Sequence, residues 1–207
     1  MTTPDLLARH RLVPVVVLDD AAAAEPLADA LAAGGLPIAE VTFRTEAAAE
    51  SIARMSAHGG VTVGAGTVTR PEQVDAAVDA GASFVVSPGL SAAVVRRCQE
   101  RGVFALPGAT TATEIMAALE LGVSVVKFFP AGTSGGAAAV AALSAPFPGV
   151  RFVPTGGIDA GSASDYLALR SVLAVGGSWM VPRAAIAAGD FARVRELVAE
   201  SVAAVAG

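Results

Sequence analysis

The run VVKFFPAG, residues 125–132, sets one lysine inside a strand-like apolar stretch. The chain is 54% hydrophobic and 16% charged, and Lys127 is one of 14 lysines and arginines. Taking an isolated charge out of water costs several kcal/mol or shifts its pKa instead, so a lysine here needs a partner or a purpose. In a strand, alternate residues share a face. Val125, Lys127 and Phe129 therefore lie on one side, and Val126 and Phe128 on the other. The same alternation in IAEVTFRT puts Ile38, Glu40, Thr42 and Arg44 on one side, with Ala39, Val41 and Phe43 opposite. An acid, a lysine and an arginine are thus predicted to face one interior.

Together these three side chains could make and use an imine. A lysine amine in water titrates at about 10.4 and is protonated at neutral pH. Partial desolvation or a neighbouring cation lowers that value and exposes the lone pair. The amine can then attack a ketone, and the protonated imine draws electrons from an adjacent C–C bond. Glu40 is the carboxylate placed to move the protons. The planar fork of Arg44 matches a carboxylate bidentately and could hold a 2-oxo acid. The plain alternative is a structural ion-pair network with no chemistry.

Positioning these residues requires parallel strands that converge. Short β-branched runs at 13–18, 38–43, 61–66, 83–87, 103–107, 123–129, 151–155 and 172–177 alternate with alanine-rich helical segments, several ending in glycine. Such alternation means crossovers and a parallel sheet, and eight strands suit a closed barrel. The expectation is one (β/α)8 barrel domain over residues 1–207, with a short helix ahead of the first strand. An open doubly wound sheet would more often show a glycine-rich turn after strand one, where this chain has DDAAAAEP. Glycine pairs instead follow the last two strands, in PTGGIDAG and AVGGSWMV. Those loops commonly form the phosphate site of a (β/α)8 barrel, because glycine lets backbone amides approach an anion.

A net charge of −5 with no basic run argues against a nucleic-acid partner. No run of about 18 apolar residues and no signal-peptide core is present, so the expectation is a cytoplasmic protein without membrane contact. The single cysteine, Cys98, excludes an internal disulfide and reads as packing. His10 and His58 read as surface residues, Trp179 as packing beneath the last glycine loop, and Met55, Met116 and Met180 as core filling.

In joint order and spacing, LVPVVVLDD, EVTFRT, GAGTV, VSPG, KFFPA, RFVPTGGI, DYLAL and VGGSWMVP make the sequence resemble the 2-keto-3-deoxy-6-phosphogluconate (KDPG) and 4-hydroxy-2-oxoglutarate (KHG) aldolases. The resemblance covers nearly the whole chain. It implies a class I enzyme that splits phosphorylated KDPG into pyruvate and glyceraldehyde 3-phosphate in the Entner-Doudoroff pathway, with no metal and no cofactor. By position, Lys127 matches the imine-forming lysine and Glu40 the general acid/base. Arg44 and Thr67 match ligands of the pyruvate carboxylate, Pro88 and Phe129 walls around the pyruvyl group, and Thr155 a residue beside the sugar chain. Gly156, Gly157, Gly176, Gly177 and Ser178 match the phosphate-side loops. A homotrimer is implied by the family alone. Gly132 and Thr133 depart from it, standing where many relatives carry an acidic residue and a small neighbour. Alternatives are the galactonate epimer, weakened by Thr155 and the Phe128–Phe129 pair, unphosphorylated 4-hydroxy-2-oxoglutarate, or a phosphate-binding barrel without aldolase chemistry.

Overall fold

The computed structural model describes residues 2–205. The chain opens with helix α1 (Thr3–His10) and strand β1 (Leu12–Val16). A 3-10 turn at Ala21–Ala23 leads into α2 (Ala24–Ala33), followed by β2 (Ile38–Thr42), α3 (Ala48–His58), β3 (Thr62–Gly66) and α4 (Pro71–Asp79). Next come β4 (Phe84–Val86), α5 (Ala92–Glu100), β5 (Phe104–Leu106), α6 (Ala112–Glu120), β6 (Val125–Phe128) and α7 (Gly136–Ser144). The chain closes with β7 (Arg151–Pro154), α8 (Ala163–Leu167), β8 (Val175–Gly177), α9 (Arg183–Ala187) and α10 (Phe191–Val205). Helix starts follow the side chains available. Thr2 with Asp5 and Thr111 with Glu114 form capping boxes at α1 and α6, and Ser91 caps α5. Each such cap stabilises its helix by about 1 kcal/mol.

All strand pairs are parallel. Six strands form a curled sheet in the order β5-β4-β3-β2-β1-β8, and β6 pairs with β7. This is a parallel α/β fold, with ladders dividing six and two rather than running round all eight strands as expected. Prolines mark both seams. At Pro107 and Pro154 the ladder lacks an N–H donor, and contact there falls to isolated bridges: Gly108 to Lys127 on one side, Phe152 to Val172 and Thr155 to Gly176 on the other. The strands are also shorter than the apolar runs that announce them, most clearly β8, which starts at Val175 rather than at 172.

Strand and helix residues share one continuous apolar cluster, with Phe84, Phe128 and Phe152 among its largest fully buried side chains. Truncating such a phenylalanine costs about 3–5 kcal/mol. Met55 and Met180 are core residues, whereas Met116 is 56% exposed, contrary to the sequence expectation. Ile115 and Ala118 take the inward face of α6, and Met116, one step of about 100° around the helix, points away. Cys98 is buried, and burial pushes its thiol up to about 11, which suits packing. His58 is exposed and paired with Asp29, while His10 is half-buried. No helix among the described residues is long and apolar enough to cross a membrane.

Candidate active site

Strands β2 and β6, which do not pair with each other, bring residues 87 positions apart into contact: Lys127 Nζ on β6 donates to Glu40 Oε1 on β2 at 3.1 Å. Both side chains are buried, at 6% and 3% exposure. Local backbone fixes the lysine, whose N–H donates to the Pro107 carbonyl while its own carbonyl accepts from Ala109 N–H. Glycines clear the space. A side chain at Gly66, on β3, would run into the Glu40 carboxylate, and one at Gly108 would run into the Pro88 carbonyl. Pro88 is thereby held against the segment that bridges Lys127.

Phe129 joins the buried pair to open space. Its ring centroid lies 5.2 Å from Lys127 Nζ, within the range of a cation–π contact. The same residue lines a cavity of about 370 Å³ together with Arg44, Thr155, Gly156, Gly157, Gly177 and Ser178. Arg44 lies past the end of β2 and is exposed, and its Nε donates to Thr67 Oγ1 at 3.3 Å. Thr67 holds φ at 57°, a left-handed conformation that a β-branched residue rarely adopts. Strain of this kind costs about 1–3 kcal/mol and persists where the surroundings impose it. Here it presents a hydroxyl to the arginine fork.

The far wall is built from main chain. Gly156 and Gly157 have φ of 91° and 72°, and the N–H groups of Gly157 and Ser178 donate to no backbone acceptor among the described residues, while the bridge between Thr155 and Gly176 occupies Gly156 N–H. Free backbone amides from two loops that line one cavity can donate to an anion there. Ser178 is exposed and leaves its hydroxyl available as well. Gly176 does not reach the cavity wall. A side chain there would collide with Thr155 Oγ1, so this glycine serves by leaving room for Thr155. Gly177 similarly leaves room for the ring of Trp179, whose Nε1 donates to Ser201 Oγ at 3.0 Å.

Comparison with known proteins decides the family. A family model described as KDPG and KHG aldolase matches residues 4–197. The chain belongs to this aldolase family. A 2-dehydro-3-deoxy-phosphogluconate aldolase of Treponema pallidum is 52% identical over 198 residues, covering 95% of this chain and 94% of that protein. The KDPG aldolase structure from Zymomonas mobilis superposes with a TM-score of 0.92 at 41% identity, covering 98% and 97% of the two chains. The KDPG aldolase of Legionella pneumophila, solved with pyruvate captured as a covalent carbinolamine, superposes with a TM-score of 0.92 at 37% identity over 96% of this chain and 97% of that one.

Within this aldolase fold, the departure at Gly132 has a visible setting. Ala131 N–H donates to the Thr155 carbonyl and Gly132 N–H to the Gly156 carbonyl, at 2.8 and 2.9 Å. A Cβ at Gly132 would stand 3.2 Å from the Gly157 carbonyl oxygen, so a side chain there would press on the glycine wall. Sequence reasoning missed Gly66, whose role depends on a neighbour across the sheet. It also missed the walls Val15, Val17, Ile158, Val181, Pro182 and Arg183. The last three directly follow VGGSWM, and that adjacency was the available signal.

Proposed function

We propose that the chain is a class I lyase that cleaves KDPG to pyruvate and glyceraldehyde 3-phosphate through an imine on Lys127. The observation carrying this reading is the buried Lys127–Glu40 contact beside an anion-suited cavity in a member of this aldolase family. The unprotonated Lys127 amine attacks the C2 ketone, and loss of water from the carbinolamine gives the protonated imine. Glu40 accepts the C4 hydroxyl proton as the C3–C4 bond breaks. The bonding electrons move into an enamine, and the C4 oxygen becomes the aldehyde of glyceraldehyde 3-phosphate. Glu40 then returns the proton to C3, and water hydrolyses the pyruvyl imine to pyruvate and free amine. No outside oxidant, metal or cofactor enters this balance.

Supporting roles follow from placement. Arg44, steadied by Thr67, takes the substrate carboxylate, and Pro88 and Phe129 enclose the pyruvyl carbons. Thr155 stands beside the sugar chain, and the amides of Gly157 and Ser178 take the phosphate, with Gly156, Gly176 and Gly177 shaping that wall. The isolated bridges at both seams support reading the eight strands as one (β/α)8 barrel, and the shared apolar cluster supports a single domain over 1–207. A cytoplasmic homotrimer is the expected assembly, checked by light scattering on the purified protein. KHG is a second substrate on this reading, because the matching family model covers both activities.

Reduction with borohydride in the presence of pyruvate, followed by peptide mass spectrometry, tests the proposal. The expected result is a reduced pyruvyl adduct on Lys127. Folded protein that acquires no adduct there would return the lysine to a structural role.

A further inference from the structure

Resting on the aldolase reading above, we propose that Arg183, held in place by Asp19, is a further binding residue for the phosphate end of the substrate and sets the preference for phosphorylated aldehydes. Arg183 opens α9, directly after the phosphate-side loop and Pro182, and lines the same cavity as Gly156, Gly157 and Ser178. The walls of that cavity include two cations, Arg44 and Arg183, and no carboxylate. Arg44 is committed to the opposite end through Thr67, which leaves Arg183 as the cation beside the glycine amides.

Its hydrogen bonding suits the task. Nε donates to Asp19 Oδ2 at 2.7 Å and Nη2 to Asp19 Oδ1 at 2.5 Å. This two-point grip fixes the guanidinium plane and leaves Nη1 without a hydrogen-bond partner among the described residues. An arginine fork can therefore keep its orientation and still donate to a phosphate oxygen. Asp19 itself lies on the other side, in a neighbouring cavity of about 440 Å³ that it lines with Asp20 and shares with Arg183. Arg183 lines both cavities, one with the carboxylates and the other with the glycine amides. The pair holds the guanidinium pKa above its ordinary value, and an arginine is already a cation at neutral pH.

The inference separates from the general chemistry because Arg183 bonds to Asp19 and not to Lys127 or Glu40. Arg183→Ala is expected to raise KM for glyceraldehyde 3-phosphate about tenfold in the condensation with pyruvate, as loss of one charge-assisted contact implies. With unphosphorylated glyceraldehyde the variant should match wild type, and its pyruvate adduct on Lys127 should be unchanged. Arg183→Lys, which keeps the charge and gives up the fork, should fall between. Calorimetric titration with glycerol 3-phosphate provides a readout free of turnover, with Kd raised about tenfold in Arg183→Ala. Equal KM and Kd in wild type and Arg183→Ala, or equal losses with both aldehydes, would overturn the assignment. Wild-type protein that forms no imine with pyruvate would overturn the aldolase reading instead, and the glycerol 3-phosphate titration would still decide whether Arg183 binds phosphate.

Discussion

Two of the ion-paired clusters that join separate elements of this molecule are built in contrary ways. On the outside, Asp75 of α4 accepts from Arg97 of α5 and from Arg101, which directly follows that helix, and Arg101 also reaches Asp79. Arg97 Nε reaches both Asp75 oxygens, at 2.9 and 3.1 Å. Inside, Lys127 and Glu40 share a single 3.1 Å contact. The ammonium group uses one of its three donors, and Glu40 Oε2 has no hydrogen-bond partner among the described residues. The well-satisfied cluster sits where water screens it, and the under-satisfied one sits where desolvation is most costly. Stability would favour the reverse arrangement. On the proposed imine mechanism this arrangement has a use, because a loosely held lysine can give a proton to its neighbour and present a nitrogen lone pair to a ketone, and Glu40 keeps an oxygen free to carry a proton.

The largest effects should come from breaking the interior pair's chemistry. Lys127→Met removes the nucleophile, and cleavage of KDPG should fall to background with no borohydride-trapped adduct. Glu40→Gln keeps the shape and loses proton transfer, so kcat should drop about 10²- to 10⁴-fold, with pyruvate still reaching the lysine slowly. Steady-state assays beside intact-mass analysis distinguish the two. Substantial turnover in Lys127→Met would place the reaction on another group.

Removing both charges sharpens the contrast further. Breaking a buried pair from one side leaves an uncompensated charge, at a cost of about 3–5 kcal/mol, whereas replacing both partners with apolar residues is often neutral or stabilising by about 1–4 kcal/mol. The double variant Lys127→Met, Glu40→Leu should therefore be inactive yet at least as stable as wild type in urea denaturation. A double variant several kcal/mol less stable than wild type would make the pair a structural element after all.

The strand-helix alternation and the meeting of Lys127 with Glu40 were legible because each depends on short-range pattern: strand parity puts both side chains on inward faces, and Phe129 falls on the lysine's side, next to Nζ. Arg44 was reached by extending that parity beyond Thr42, where β2 has already ended, so its place in the cavity owes more to the loop than to alternation. What depends on distant partners was hidden. Arg183 gains its orientation from Asp19, 164 residues earlier. Gly66 matters because Glu40 occupies the space its side chain would need. The count of eight strands was readable, but the division of their ladders is set by Pro107 and Pro154 at the seams. Met116 was misplaced because residue type alone does not give the helix face, which Ile115 and Ala118 decide.

The smallest effect belongs to the exterior cluster, and its pH dependence has a definite sign. Hydrogen bonds from Arg97, then from Arg101, hold the Asp75 carboxyl below the ordinary value of 3.8. A carboxylate with a lowered folded pKa contributes its stability in full above its unfolded value and loses it as pH falls through the folded one. Asp75→Asn should thus lower Tm slightly at neutral pH, leave kcat and KM unchanged, and approach wild type as pH falls from the usual carboxylate value toward the lowered folded one. High salt should shrink the same gap at neutral pH, since these side chains are a quarter to a third exposed. Thermal melts at pH 7 and pH 3, each at low and high salt, read all of this directly. A gap that persisted unchanged in acid would mean that Asp75 supports the helix pair by packing or neutral hydrogen bonds, and the contrast between a screened exterior cluster and a reactive interior pair would then rest on the interior alone.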